Sequence, residues 1–159
     1  MAKCWKCGKS GLFLSIGASG LCVDCLEDAA NGAIKLISML KSGERQRKEA
    51  LEMLDNEVAR EMAENAAGDL ARSKFSLWPV DVHANAAQLE RVRRSASVKI
   101  LEYDPASEAA IVKGSGKEPY RTSFVSCDCG DFSARHLPCK HMYRLAAEYG
   151  GVDFLKFIG

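Results

Sequence analysis

The seven cysteines of this 159-residue chain fall into two groups that lie about a hundred residues apart. The first group has the spacing C-x2-C-x14-C-x2-C, and the second has C-x-C-x9-C-x-H. The two groups consist of Cys4, Cys7, Cys22 and Cys25, and of Cys127, Cys129, Cys139 and His141. Two donors on one tight turn already lie near each other, so a metal ion has only to join two pairs. The spacing therefore predicts two closed tetrahedral metal sites with no cysteine left over.

Zinc is the metal that suits these donors, because it accepts four sulfurs, or three sulfurs and one nitrogen, in any tetrahedron that loops provide. We expect two zinc ions, each stabilising its module on the order of 10 kcal/mol. Four protein ligands leave no open position for a reactive water, so we expect no enzymatic activity. A thiol–disulfide motif is the alternative for the N-terminal pairs, but no βαβ pattern surrounds them.

The charge balance excludes a chain that coats nucleic acid by net charge alone. The sequence has 22 Lys+Arg against 21 Asp+Glu, a net charge of +1. Seven thiolates and two Zn²⁺ change this by −7 and +4, to about −2, so any nucleic-acid contact needs a local basic face. The sequence also has no apolar run near the roughly 18 residues of a membrane span and no apolar signal segment at its start. We therefore expect a soluble protein with no membrane partner, in a reducing cytoplasmic compartment, or in the nucleus of a eukaryote.

The sequence predicts an α+β fold made of small zinc-stabilised modules. Residues 1–27 are expected to form a four-cysteine finger of treble-clef or ribbon type. Residues 28–76 contain no proline, and apolar residues recur at steps of three and four from Leu51 to Leu70, which predicts two helices, the second unusually long. This spacer is either an antiparallel helical hairpin or a coiled coil that dimerises or binds a partner.

Pro79 marks a boundary, since the residue before a proline disfavours helix. Residues 77–96 are predicted to be a linker and a short helix, with His83 as a surface or capping histidine. Residues 97–159 are predicted to form the second finger with an apolar tail. Their pattern predicts three strands, at 98–101, 110–113 and 120–125, then a helix that opens at Pro138. We expect the apolar tail after residue 151 to pack on the core of this finger, and a partner-binding peptide is the alternative.

The segments FVSCDCGDF (124–132) and LPCKHM (137–142) resemble the SWIM-type zinc finger, a C-x-C pair followed by C-x-H on a ββα-like framework. The resemblance covers about residues 97–149 and implies that the second group of ligands binds zinc. His136 stands where similar fingers often have glycine, and the spacing of Cys139 and His141 favours His141 as the ligand. SWIM fingers bind DNA or other proteins, and they occur beside helicase-like ATPases, transposases and ubiquitin ligases. None of those catalytic domains fits in this chain, so the resemblance implies an accessory role.

Three functions follow from these features. The leading one is a non-catalytic module that binds nucleic acid, DNA first, through a basic patch around the last helix. The patch would consist of Arg91, Arg93, Arg94, Arg135, Lys140 and Arg144. The alternative is that these cations are solvent-exposed surface residues that bind no ligand. The second function is a protein–protein adaptor that works through the long helix and the fingers, with a homodimer through the long helix as one form. The third is a redox-sensing zinc switch at the N-terminal site.

Overall fold

The computed structural model describes residues 44–158. The predicted N-terminal finger, with Cys4, Cys7, Cys22 and Cys25, and the first part of the helical spacer lie outside the described residues. The chain divides into two compact units, Met1–Leu51 and Glu52–Gly159. The fold below is that of the second unit.

Helix α1 (Glu44–Arg72) is 29 residues long, which confirms the long helix predicted from the apolar repeat. Within the second unit its buried face consists of Ala59, Met62, Ala63, Ala66 and Leu70. These small and flexible side chains recur at steps of three and four, so one stripe of the helix faces the core. The helix is followed by a turn in which Ser73 Oγ donates to the Leu70 carbonyl at 2.8 Å.

Two short helices, α2 (Val80–His83) and α3 (Ala86–Ser95), follow the predicted break. Pro79 is the N-cap of α2, and Asn85 caps α3 by accepting a hydrogen bond from the Gln88 amide at 3.0 Å. Helix α3 lies in the segment that was predicted to hold a linker and a short helix. It packs against the finger that follows, burying Leu89 and Val92.

Three antiparallel strands form a sheet in the order β1 (Lys99–Asp104), β2 (Ala109–Lys113) and β3 (Tyr120–Ser123). The three predicted strands are confirmed, although their ends differ by a few residues. A register shift between Ile100 and Glu102 interrupts the pairing of β1 with β2. A single bridge from Thr122 to Cys127 continues the sheet into the segment that carries the first two ligands of the second group.

The last part of the chain is helical. Helix α4 (Gly130–Arg135) was not predicted, and helix α5 (Lys140–Leu145) begins two residues after Pro138. A π-helical turn (Ala146–Gly150) and a 3₁₀ helix (Phe154–Phe157) complete the chain. Val152 and Phe154 are buried, so the tail packs on the core, as predicted.

The core confirms the α+β class and corrects one prediction. His83, expected at the surface, is fully buried at 0% exposure. Its ring lies 4.6 Å from that of Phe154, 5.6 Å from that of Tyr143 and 5.8 Å from that of Phe75. The histidine is buried because the C-terminal tail folds back over it. Within residues 44–158, no helix is both long enough and apolar enough to cross a membrane.

Candidate metal centre

The second group of predicted ligands comes together at one point of the finger. Cys127 follows β3, Cys129 is the N-cap of α4, Cys139 is the N-cap of α5, and His141 lies in the first turn of α5. Their ligand atoms all lie within 4.8 Å of one another, and all four residues are buried. Three short elements thus supply four donors to a single small volume.

The distances in this cluster fit a tetrahedral zinc site. His141 Nδ1 lies 3.7 Å from Cys127 Sγ and 3.8 Å from Cys139 Sγ. In a zinc tetrahedron with Zn–S near 2.3 Å and Zn–N near 2.0–2.1 Å, the edge between sulfur and nitrogen is about 3.6 Å. The imidazole therefore offers Nδ1 to the metal, and the donor set of three thiols and one imidazole is one that zinc accepts.

The thiols of the cluster shift each other's pKa values. The hydrogen bond with the Cys139 thiol, against the effect of burial, lowers the pKa of Cys127 to about 4. The same hydrogen bond, together with burial, raises the pKa of Cys139. Since each ligand sulfur must be deprotonated to bind zinc, metal binding here would release protons.

Asp131 lies in α4, two residues after Cys129, and anchors the loop between the ligand pairs. Its carboxylate accepts two hydrogen bonds from Arg135, both of 2.8 Å, and two from Arg91 of helix α3. The hydrogen bonds from Arg91, with those from Arg135, hold the pKa of Asp131 well below its usual range. The Asp131–Arg135 spacing was readable in the sequence as a helical i, i+4 pair, and it is the signal that could have revealed α4.

The predicted basic patch is divided by its ion pairs. Arg93 pairs with Asp55 of helix α1 at 3.3 Å, and Arg144 pairs with Glu148 one turn further along. Arg94 pairs with Glu90 at 2.7 Å. These pairs, together with those of Asp131, neutralise much of the positive charge of the predicted basic patch.

A cleft of about 560 Å³ opens beside the metal ligands. Three residues of the predicted patch line it, namely Arg91, Arg94 and Lys140. Its other lining residues include Cys129, Cys139, His141, Ser115, Gly116 and Tyr120, together with Glu90 and Asp131. The structure therefore brings half of the predicted patch to the metal centre, and Arg93, Arg135 and Arg144 are not among the residues that line this cleft.

A chain of buried hydrogen bonds, which the sequence did not reveal, ties α3 to α5. Gln88 Nε2 donates to the Pro138 carbonyl and to the Tyr143 hydroxyl, each at 3.1 Å. The Tyr143 hydroxyl also lies 2.7 Å from His83 Nδ1. Arg135 Nη1 donates to Gln88 Oε1 at 3.3 Å. The segment that carries Cys139 and His141 is thus held from outside the finger.

His136 is not part of the cluster of four donors. It caps the end of α4 in the left-handed conformation, with φ of 52°. This conformation reverses the chain between the two ligand pairs, at a position where glycine is the usual residue.

Comparison with known protein families gives a match in the C-terminal part of the chain. The SWIM zinc finger family matches residues 111–150, a segment that begins in β2, ends with the π-helical turn and contains all four clustered donors. Helices α1 to α3 lie outside this segment. No curated protein and no solved structure matches the chain at a significant level.

Proposed function

We propose that this chain is a non-catalytic accessory protein that holds zinc at the clustered cysteines and histidine and binds nucleic acid, DNA first, in the cleft beside them. Zinc, when bound, supplies a rigid link between the end of β3 and the starts of α4 and α5. The cleft itself carries the proposal, because it joins cationic side chains, a hydroxyl and an aromatic ring next to the metal centre.

The cations of the cleft differ in their existing ion pairs, and therefore in how readily they can bind a phosphate. Lys140 Nζ donates to Ser115 Oγ at 2.9 Å, and no carboxylate of residues 44–158 forms an ion pair with it. Arg94 pairs with Glu90, but the two side chains are 65% and 47% exposed. Such an exposed ion pair contributes little to stability, so breaking it costs little free energy. Lys140 and Arg94 are therefore the residues that we expect to contact phosphates, while Arg91 stays fixed on Asp131.

Tyr120 adds an aromatic surface to the cleft. Its ring packs on the His141 imidazole, with the ring centres 4.9 Å apart. Bases stack on such rings in proteins that bind single strands, at about 1–3 kcal/mol per base. Two available cations and one aromatic ring could contact both the phosphates and a base. The cleft therefore suits a nucleic-acid strand better than an anion that is bound by charge alone.

The test is fluorescence anisotropy of the zinc-loaded full chain with labelled single-stranded and double-stranded DNA at several salt concentrations. We expect affinity to fall steeply with salt, because binding to phosphates releases counterions. Lys140→Ala and Arg94→Ala should each weaken binding and reduce the slope of log K against log salt by about 0.9 on a duplex. Arg93→Ala is the matched control, since it removes the same charge from the same helix outside the cleft. A flat salt response, or an equal loss with Arg93→Ala, would contradict the proposal.

A second candidate, the protein–protein adaptor, is favoured by a different observation. Met53 and Leu54 of helix α1 are 56% and 41% exposed. Met53 also lines a groove of about 390 Å³ together with Asn56, Glu57, Arg60 and Ala84. Exposed apolar side chains beside a groove are typical of contact surfaces. Light scattering over a concentration series tests the homodimer form of this candidate. Self-association that Met53→Glu abolishes supports it, and a monomer at every concentration excludes the homodimer.

The third function, a redox-sensing switch, concerns the N-terminal cysteines outside the described residues. It stays a prediction, tested by zinc release under mild oxidant.

A further inference from the structure

The imidazole of His141 is enclosed on the side that faces away from the sulfurs. The residue is 3% exposed, and its Nε2 is buried with no hydrogen-bond partner among residues 44–158. The Tyr120 ring packs near the imidazole, tilted by 37°. With Nδ1 facing the thiols and Tyr120 beside the ring, the imidazole has little room to move.

The backbone of Gly114 packs against the Nε2 edge of the His141 ring. A Cβ atom built on Gly114 would lie 2.6 Å from His141 Nε2 and 3.4 Å from His141 Cδ2. Real Cβ contacts are essentially never shorter than 3.0 Å. The same Cβ would lie 3.3 Å from Lys140 Cε, which belongs to a flexible side chain and can swing away.

Backbone conformation does not require a glycine at this position. Among the described glycines only Gly151 has a positive φ, so Gly114 does not occupy the left-handed region that favours glycine. What distinguishes Gly114 is the close approach of its backbone to the Nε2 edge of His141.

We propose that Gly114, which lies outside the C-x-C and C-x-H pairs, is a positioning residue of the metal site. Its missing side chain lets the segment after β2 pack against the Nε2 edge, and this contact holds Nδ1 towards the three sulfurs. A Cβ at this position would require a shift of about 0.8 Å to bring the 2.6 Å contact to an ordinary 3.4 Å. Metal–ligand distances tolerate only about 0.2 Å, so such a shift of the ring would weaken the bond from nitrogen to zinc.

The first measurement is metal affinity at this site in the full chain with ¹⁵N-labelled histidine, followed at the His141 signal while a zinc chelator is added. The predicted N-terminal ligands include no histidine, so this signal reports the second site alone. We expect wild type to show metal on Nδ1 and a proton on Nε2. Gly114→Ala should weaken zinc binding by about 10–100-fold, the usual effect of disturbing residues that orient a metal ligand.

Gly130→Ala is the matched control. Gly130 directly follows Cys129, and a Cβ built on it meets nothing within 4 Å. We expect this variant to bind zinc as wild type does. Equal affinities of Gly114→Ala and wild type would overturn the proposal.

A second measurement shows whether the effect of Gly114→Ala acts through the imidazole. His141→Cys replaces the ring with a short thiol that also binds zinc, and it removes the atom that the new Cβ would meet. In a full chain whose four N-terminal cysteines are serine, zinc affinity is measured for the four combinations of Gly114→Ala and His141→Cys. We expect Gly114→Ala to weaken binding when His141 is present and to have no effect when position 141 is cysteine.

An equal loss in both backgrounds would mean that Gly114 acts on the backbone, and this would overturn the proposal. The inference rests on metal binding by the cluster, and the two failures are distinguishable. A wild type that binds no metal contradicts both, whereas a wild type that binds zinc no better than Gly114→Ala contradicts the role of Gly114 alone.

Discussion

Arg91 and Asp131 form a bidentate pair in which Arg91 Nε and Nη2 each donate a hydrogen bond of 2.9 Å to the Asp131 carboxylate. Arg91 belongs to α3, outside the SWIM-like segment, and Asp131 belongs to α4, just after the ligand Cys129. Two parallel hydrogen bonds between charged groups fix orientation as well as distance. The pair therefore anchors one end of the metal site to a helix that precedes the finger.

Replacing Asp131 by asparagine should lower the free energy of unfolding by about 1–2 kcal/mol, a range for charged hydrogen bonds that is reduced here by partial exposure. Urea denaturation at saturating zinc measures the change. Glu90→Gln is the control, because it weakens the exposed pair with Arg94 and should cost no more than about 0.5 kcal/mol. Equal effects of the two variants would contradict an anchoring role for Asp131.

The Tyr143 hydroxyl gives a second prediction. It accepts a hydrogen bond from Gln88 and donates to His83, and burial raises the pKa of Tyr143, so it stays protonated. Tyr143→Phe would leave His83 Nδ1 without a donor inside the core. We expect a loss of about 1–3 kcal/mol in the free energy of unfolding. Tyr149→Phe is the comparison variant, since that residue is 44% exposed and keeps its ring stacked on Tyr103. A loss for Tyr143→Phe no larger than that for Tyr149→Phe would refute this prediction.

His83 predicts a pH dependence of stability. Burial, partly offset by the hydrogen bond to the Trp78 carbonyl, lowers its pKa to about 4, against about 6.5 in the unfolded chain. Between these values the unfolded state binds the extra proton, so stability increases with pH. The part of the free energy of unfolding that depends on His83 has its full value above about pH 6.5. It decreases as the pH falls towards 4, by about 3 kcal/mol in total.

The measurement compares denaturation of wild type and His83→Gln from pH 7 to pH 4 at matched zinc saturation. We expect the variant to lose less stability over this range. His136→Asn, a change at an exposed histidine, should follow the wild-type profile. If the free energy of unfolding changes with pH in the same way for His83→Gln and wild type, His83 does not cause this pH dependence.

The sequence predicted the parts of this fold that depend on near neighbours. The spacing of Cys127 with Cys129 and of Cys139 with His141 brings each pair together locally, and the structure places both pairs at one point. The three strands and the long helix follow from apolar periodicity in the same way. Helix α4 was not predictable from apolar periodicity, because the gap between the ligand pairs has no apolar repeat. Its helical signal is the polar pair Asp131 and Arg135, which lie four residues apart.

Features that depend on distant partners were not predictable. Nothing near His83 in the sequence shows that Tyr143, sixty residues later, and the tail will enclose it. The basic patch was predicted from the positions of cations around the last helix, and two of them pair with carboxylates far away in the sequence. Arg93 pairs with Asp55, and Arg91 pairs with Asp131. Charge composition could not show which cations face the cleft.

The tail gives a fourth prediction. Phe154 is buried against the rings of His83 and Tyr143, the latter at 5.4 Å. Phe154→Ala should reduce the free energy of unfolding by about 3–5 kcal/mol, because it removes apolar contacts and leaves a cavity. Phe157→Ala, at a half-buried position of the same 3₁₀ helix, should cost clearly less. If Phe154→Ala leaves thermal unfolding unchanged, the tail does not stabilise the core.

We expect Cys127, Cys129, Cys139 and His141 to bind one zinc ion together. Native mass spectrometry of the full chain tests it most directly, using a variant with serine at the four N-terminal cysteines and a second that adds Cys139→Ser and His141→Ala. We expect one zinc ion in the first variant and none in the second. A first variant without zinc, or a second that keeps it, would contradict the assignment of these four ligands.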